Sequence, residues 1–225
     1  MSGELDAIVA ARRRAETVAR MRSLARRSTP AASGAPRPVQ ERCDICNTTL
    51  PEDHRHMLHL VDRRIVCTCE ACWALYSGNA EYRPTGMRTV WLDQFHCDDA
   101  TWAAFQIPIG LAFFMRSTVT GGVVAFYPSP AGATESELSL EAWDALVQAN
   151  PILEQLEADA EALVVNRISD PAQYAIAPID QCYALVGLIK TRWEGISGGS
   201  AIERAVPEFF AALRSRAVAV SELQR

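Results

Sequence analysis

The spacing of five cysteines between Cys43 and Cys72 constrains this chain more than any other feature. Cys43 and Cys46 are separated by two residues, Cys69 and Cys72 likewise, and residues 47–68 lie between the pairs. A two-residue gap lets both sulfurs of one turn reach a single ion, so two such pairs complete a tetrahedron of thiolates. At 225 residues, about half of them apolar, the chain can build a core without disulfides. The odd total of seven cysteines therefore points to metal chemistry in a reducing compartment and not to a disulfide framework. The predicted ligands are Cys43, Cys46, Cys69 and Cys72. Cys67 is an alternative to Cys69, because the two share a face of an extended strand.

Between the pairs, Met57 to Val61 and Arg64 to Val66 flank Asp62-Arg63 and read as a hairpin. The stretch after Cys72 reads as one or two helical turns ending at Gly78. Knuckle, hairpin and a second ligand pair at a helix N-terminus make a treble-clef or zinc-ribbon-like module, in which the helix dipole favours the negative cluster. Zinc is the expected cofactor, with iron the alternative. A rubredoxin-like iron site would use two knuckles whose backbone N–H groups bond the sulfurs, each closed by a residue that accepts a left-handed turn. Asn47 meets that requirement and Trp73 does not. His54 and His56 share a strand face and form a candidate second metal site, since imidazoles at that spacing bind nickel, copper or zinc. His59 lies nearby. His96 beside Cys97 has no orienting acid, and Cys182 falls on the apolar face of its helix.

The rest divides by composition. Residues 1–27 read as an arginine-rich helical arm, 28–40 as a flexible linker, 41–80 as the cysteine-rich module and 81–218 as an α+β domain. Within that domain, 109–115 and 123–127 read as a hairpin, and 161–166 and 173–177 as two further strands joined by Ser-Asp-Pro. Helices are expected after Ser139, over 180–193, and from Ser200, where Glu203 would complete a capping box. Leu140, Trp143, Leu146 and Val147 would form the buried face of the first of these. Strands paired with sequence neighbours and flanked by helices predict a mostly antiparallel sheet with packed helices. The segment 127–136 reads as a stiff loop, with Tyr127, Pro128, Pro130 and Glu135 as a candidate interaction surface.

The net charge of −5 conceals an asymmetry, because residues 1–42 carry nine arginines against four acids and leave about −10 on residues 43–225. An acidic remainder repels phosphate, so nucleic acid is not an expected partner unless the arm binds it. No apolar run reaches the roughly 20 residues that span a bilayer, and no export signal accompanies Arg12-Arg13-Arg14, so a cytoplasmic location is expected. No phosphate-binding loop, dinucleotide fingerprint or nucleophile elbow occurs in the sequence.

Six segments together resemble a known group of proteins: Arg-Cys-Asp-Ile-Cys (42–46), Asp-His-Arg-His-Met-Leu (53–58), Cys-Thr-Cys-Glu-Ala-Cys (67–72), Ile-Pro-Ile-Gly-Leu-Ala-Phe-Phe (107–114), Tyr-Pro-Ser-Pro-Ala-Gly-Ala-Thr-Glu-Ser (127–136) and Gly-Leu-Ile-Lys-Thr-Arg-Trp (187–193). The resemblance is to an uncharacterised bacterial family encoded beside high-affinity, oxygen-tolerant nickel-iron hydrogenases, and it covers roughly residues 41–214. It implies an accessory, maturation or assembly protein that contacts a hydrogenase subunit or maturation factor, and the lack of an acid, base and nucleophile set in the sequence makes a non-catalytic role the leading expectation. Electron transfer or cluster protection by an iron site, and nickel delivery through His54 and His56, are the alternatives.

Overall fold

Asp62 and Arg63 reverse the chain, Arg63 at a left-handed φ of 49°, so that β1 (Arg55–His59) folds back on β2 (Arg64–Thr68) as an antiparallel pair. Helix α1 (Glu70–Tyr76) comes directly after, and β3 (Tyr82–Pro84) pairs with the free side of β1, giving a three-stranded sheet in the order β2-β1-β3. The sheet of the cysteine-rich module thus runs on to Pro84. The computed structural model describes residues 40–194 and 199–219, so the predicted arm at 1–27 and nearly all of the linker at 28–40 lie outside the described residues.

A second sheet holds β4 (Val90–Trp91), β5 (Leu111–Ser117), β6 (Gly122–Ser129), β7 (Gly132–Ser136), β8 (Glu161–Asn166), β9 (Gln173–Pro178) and β10 (Val218–Ala219). Its order is β10-β4-β9-β8-β5-β6-β7, antiparallel throughout except where β10 runs parallel to β4. Successive side chains of a strand face opposite ways. In β5, Leu111, Phe113 and Met115 enter one apolar cluster while Ala112 and Phe114 enter another. Strands β8 and β9 divide their residues in the same way, so both faces of the sheet are covered and the strands read as continuous apolar runs.

Helices α4 (Ile179–Arg192) and α5 (Gly199–Ser215) cover one face with Cys182, Val186, Ile189, Phe210 and Leu213. The other face receives α2 (Asp99–Ala104), α3 (Leu140–Ala149) and a 3₁₀ turn (Pro151–Gln155), through Phe105, Trp143, Leu146 and Leu153. Asp98 and Ser139 cap α2 and α3 by accepting the N–H groups of Thr101 and Ala142. The fold is the expected α+β arrangement of a cysteine module and a mostly antiparallel sheet. Leu58 of β1 is fully buried in the cluster under α4, so the module and the large sheet share a core.

Three local expectations are corrected. The segment 127–136 is not a loop but the β6–β7 hairpin, with Tyr127 opposite Thr134 and Pro128 opposite Ala133. Pro128 is tolerated because β5 pairing ends at Phe126, so its missing N–H breaks no ladder on that side. Leu140 is 63 % exposed and leaves the buried face of α3 to Ala142, Trp143 and Leu146. Ser200 lies within the first turn of α5, which begins at Gly199 with φ +73°, and is therefore not the residue that precedes the helix.

Candidate metal centre

The first cysteine pair sits in a knuckle closed by backbone hydrogen bonds. Asn47 N–H donates to the Cys43 carbonyl at 2.8 Å and Cys43 N–H to the Thr48 carbonyl at 2.8 Å. Asn47 supplies the left-handed turn, φ 62°, that the chain needs to bring Cys46 back toward Cys43. Asp44 latches the knuckle to β2: its N–H donates to the Cys67 carbonyl at 2.9 Å, and its carboxylate accepts the Cys67 N–H at 2.7 Å. The second pair is built by a change of backbone, because β2 ends at Thr68 and Cys69 becomes the extended N-cap of α1. Its sulfur accepts the Cys72 N–H, which sets both sulfurs of the pair beside the helix N-terminus. Helix α1 is held against β1 by Arg55, whose Nε bonds the Glu70 carboxylate at 3.0 Å and whose guanidinium lies 4.3 Å from the Trp73 ring centre.

The sulfurs of Cys43, Cys46, Cys69 and Cys72 all lie within 4.8 Å of one another, and those of Cys46 and Cys69 are 3.7 Å apart. A tetrahedral ion with metal–sulfur bonds of about 2.3 Å has sulfur–sulfur edges of about 3.8 Å, so the four thiolates fit a single ion. They are too close together for a four-iron cluster, whose irons and sulfides would intervene. Cys43 and Cys72 are buried and Cys46 is exposed, so the centre lies at the surface with one ligand facing solvent. Hydrogen bonds from the Thr48 hydroxyl and backbone bring the Cys46 thiol down to about 6. Burial raises Cys43, but the backbone N–H groups of Cys46, Cys69 and Ile45 together hold it below its ordinary value. Burial and three neighbouring sulfurs push Cys72 up to about 12. Four thiols so close cannot all ionise unless a cation neutralises them.

Cys67 is not one of the converging four. In the β1–β2 register it stands opposite His56, and its sulfur groups with the ring nitrogens of His54 and His56, again within 4.8 Å. His54 and His56 are brought together as their spacing predicts, ring centres 4.7 Å apart. His56 Nδ1 lies 3.1 Å from Asp180 Oδ2, a contact across 124 residues that no local pattern foretells. The Asp180 hydrogen bond, with one to Cys67, raises His56 to about 10. His59 turns elsewhere, toward Asp62 and the Tyr82 ring.

The other singled-out residues disperse. Pro128 is buried, Tyr127 half-buried and Pro130 exposed at the hairpin tip, while Glu135 pairs with Arg63 of the β1–β2 turn. Cys97 accepts from Arg167 through its sulfur, and the His96 backbone N–H donates to Asn150. Cys182 is fully buried in the core.

Fold and site together define an α+β protein that carries a four-cysteine metal-type centre on a small hairpin sheet. The chain belongs to a family of unknown function, DUF5947, whose match covers residues 42–217. No curated protein and no solved structure matches it. Among the described residues, no helix is long and apolar enough to cross a membrane.

Proposed function

We propose that this chain is a non-catalytic accessory protein in which a zinc ion on Cys43, Cys46, Cys69 and Cys72 fixes the hairpin module, leaving the α+β domain to engage a partner. The observation that carries zinc is the helical second pair. The Trp73 N–H donates to the Cys69 carbonyl at 2.9 Å as a helix bond, so the second pair runs on into a helix and does not close in the left-handed turn of a rubredoxin knuckle. Four protein ligands and no open position make a structural site, which couples ion binding to folding. An iron site for electron transfer is the second reading, because four thiolates at this spacing also fit one iron. The partner implied by the resemblance is a nickel-iron hydrogenase subunit or maturation factor. The contact surface we favour is the end strand β7 with the exposed Pro130 at its tip.

Elemental analysis and an absorption spectrum of protein purified from its own host test the metal. One zinc per chain and no visible bands are expected, whereas one iron with thiolate charge-transfer bands would replace this reading with the electron-transfer one. Co-purification of hydrogenase subunits tests the partner, and its loss on Pro130→Ala with Glu135→Lys tests the surface.

A further inference from the structure

The cluster of His54, His56 and Cys67 lies outside the four-cysteine centre and has features that a structural role leaves unexplained. His54 Nδ1 is 3.0 Å from the Pro51 carbonyl, which can only accept, so Nδ1 carries a proton and Nε2 is the ring nitrogen left for another partner. The His54 side chain is 4 % exposed, and Nε2 has no hydrogen-bond partner among the described residues. The group beside Nε2 is the Glu41 carboxylate, 3.5 Å away, which can take a proton or share a cation held at Nε2. With neither a proton nor a metal ion on Nε2, the two acceptors would face each other at a cost of about 1–3 kcal/mol. Asp180 also carries an orphaned atom: Oδ2 bonds His56 and accepts from Gln181, while Oδ1 is buried and unpartnered among the described residues. It stands in the first turn of α4.

We propose that His54, His56 and Cys67 bind a second, exchangeable divalent transition-metal ion, with Asp180 orienting His56 from behind. Two imidazoles and one thiolate form a borderline donor set, suited to zinc, cobalt, nickel or copper and not to magnesium or calcium. The backbone carbonyl behind His54 and the carboxylate behind His56 are the usual outer partners of metal-bound histidines. Three protein ligands leave a coordination position open. His54, His56 and Asp180 line a cleft of about 520 Å³ with Thr85, Trp73 and Gln181, so water or a partner's side chain can reach that position. Ligands on β1, on β2 and just before β1, with a positioning residue on α4, would make the ion a bridge between the hairpin module and the large sheet. The first centre is closed by four cysteines; this one is open and suited to exchange.

The test uses the full chain with its first centre loaded with zinc, which cobalt displaces poorly because zinc binds such sites more tightly. Cobalt(II) is titrated anaerobically and followed by its thiolate charge-transfer and d–d bands, with metal content counted after desalting. One cobalt per chain above the resident zinc is expected. Cys67→Ser should abolish the charge-transfer band, His54→Gln should lower cobalt affinity at least tenfold, and Asp180→Asn should lower it about 10–100-fold. Zinc retained at one per chain and unchanged far-UV circular dichroism show that each variant is folded. His54→Gln, at a site just before β1, serves if Cys67→Ser is not. No second equivalent in the wild-type chain, or a second equivalent whose spectrum and affinity survive the folded variants, overturns the proposal. The result is independent of which ion fills the first centre: iron in the four-cysteine centre would overturn the zinc reading and leave the second equivalent untouched.

Discussion

Cys46→Ser isolates what the first ion contributes, because Cys46 is exposed and its replacement opens no cavity. Without a metal, an exposed substitution of this size changes stability within about 0.5 kcal/mol. With a metal the expectation is different. Ordering residues 40–54 costs about 1–2 kcal/mol each, on the order of 20 kcal/mol in all. Leu50 is the one large aliphatic side chain fully buried in the module's own small cluster, worth about 2–3 kcal/mol. Four backbone bonds, from the N–H groups of Cys43, Asp44, Asn47 and Leu50, add about 1 kcal/mol each. A structural zinc contributes about 10–16 kcal/mol, which brings the two sides level. The knuckle should therefore open when one thiolate is lost. In hydrogen exchange read by mass spectrometry, amides of 43–50 in Cys46→Ser should exchange at near-unfolded rates, while those of β8 and β9 keep wild-type protection. Unchanged protection of 43–50 in metal-free Cys46→Ser would refute the reasoning, since the segment would then hold itself together without the ion.

Other perturbations separate the ion from the core. Cys182→Ser places a hydroxyl in a fully buried site and should lower global stability by about 1–3 kcal/mol in urea unfolding, with metal content unchanged. Glu161 is 2 % exposed and takes two bonds from Arg88, at 2.7 and 3.0 Å, so Arg88→Ala strands a buried carboxylate. Because Arg88 itself is 32 % exposed, the loss should fall near 2–3 kcal/mol, below the range for a wholly buried pair, as urea midpoints would register. Asn150 donates to the His96 carbonyl at 2.7 Å and accepts the His96 N–H at 2.8 Å, so Asn150→Ala should cost about 2–3 kcal/mol by the same measurement. Metal binding displaces protons from thiols, so zinc retention should fall as pH is lowered, measured by dialysis and elemental analysis.

How far the sequence could be read depends on the range of the physics involved. The convergence of Cys43, Cys46, Cys69 and Cys72 was legible because a two-residue cysteine gap encodes its own geometry. Strands β8 and β9 were legible because the apolar runs at 162–165 and 174–177, joined by Ser-Asp-Pro, admit little else. The β6–β7 hairpin was not, because Pro128 and Pro130 weaken the strand signal, and only the end of β5 pairing shows why Pro128 is harmless. Asp180 could not be found at all. Nothing local marks it as a partner of His56, and the contact exists only once α4 lies across β1.

The assignment of Cys67 and Cys69 turns on a single residue of backbone. Had β2 continued, the two would share a face and compete for one ion. The strand stops at Thr68 instead, which is buried and donates its hydroxyl to the Arg55 carbonyl at 2.9 Å, and Cys69 turns to cap α1. The switch sends the Cys69 sulfur to the knuckle and leaves the Cys67 sulfur with His56. The two sites are then joined in one direction. Knuckle and junction are latched through Asp44 to the Cys67 backbone, so an open first centre frees the strand end that carries Cys67. An empty second site leaves the knuckle's own bonds intact. Cys46→Ser should therefore abolish cobalt binding at the second site as well, whereas Cys67→Ser should leave the resident zinc in place; zinc loss in folded Cys67→Ser would show that the junction does not separate the two sulfurs.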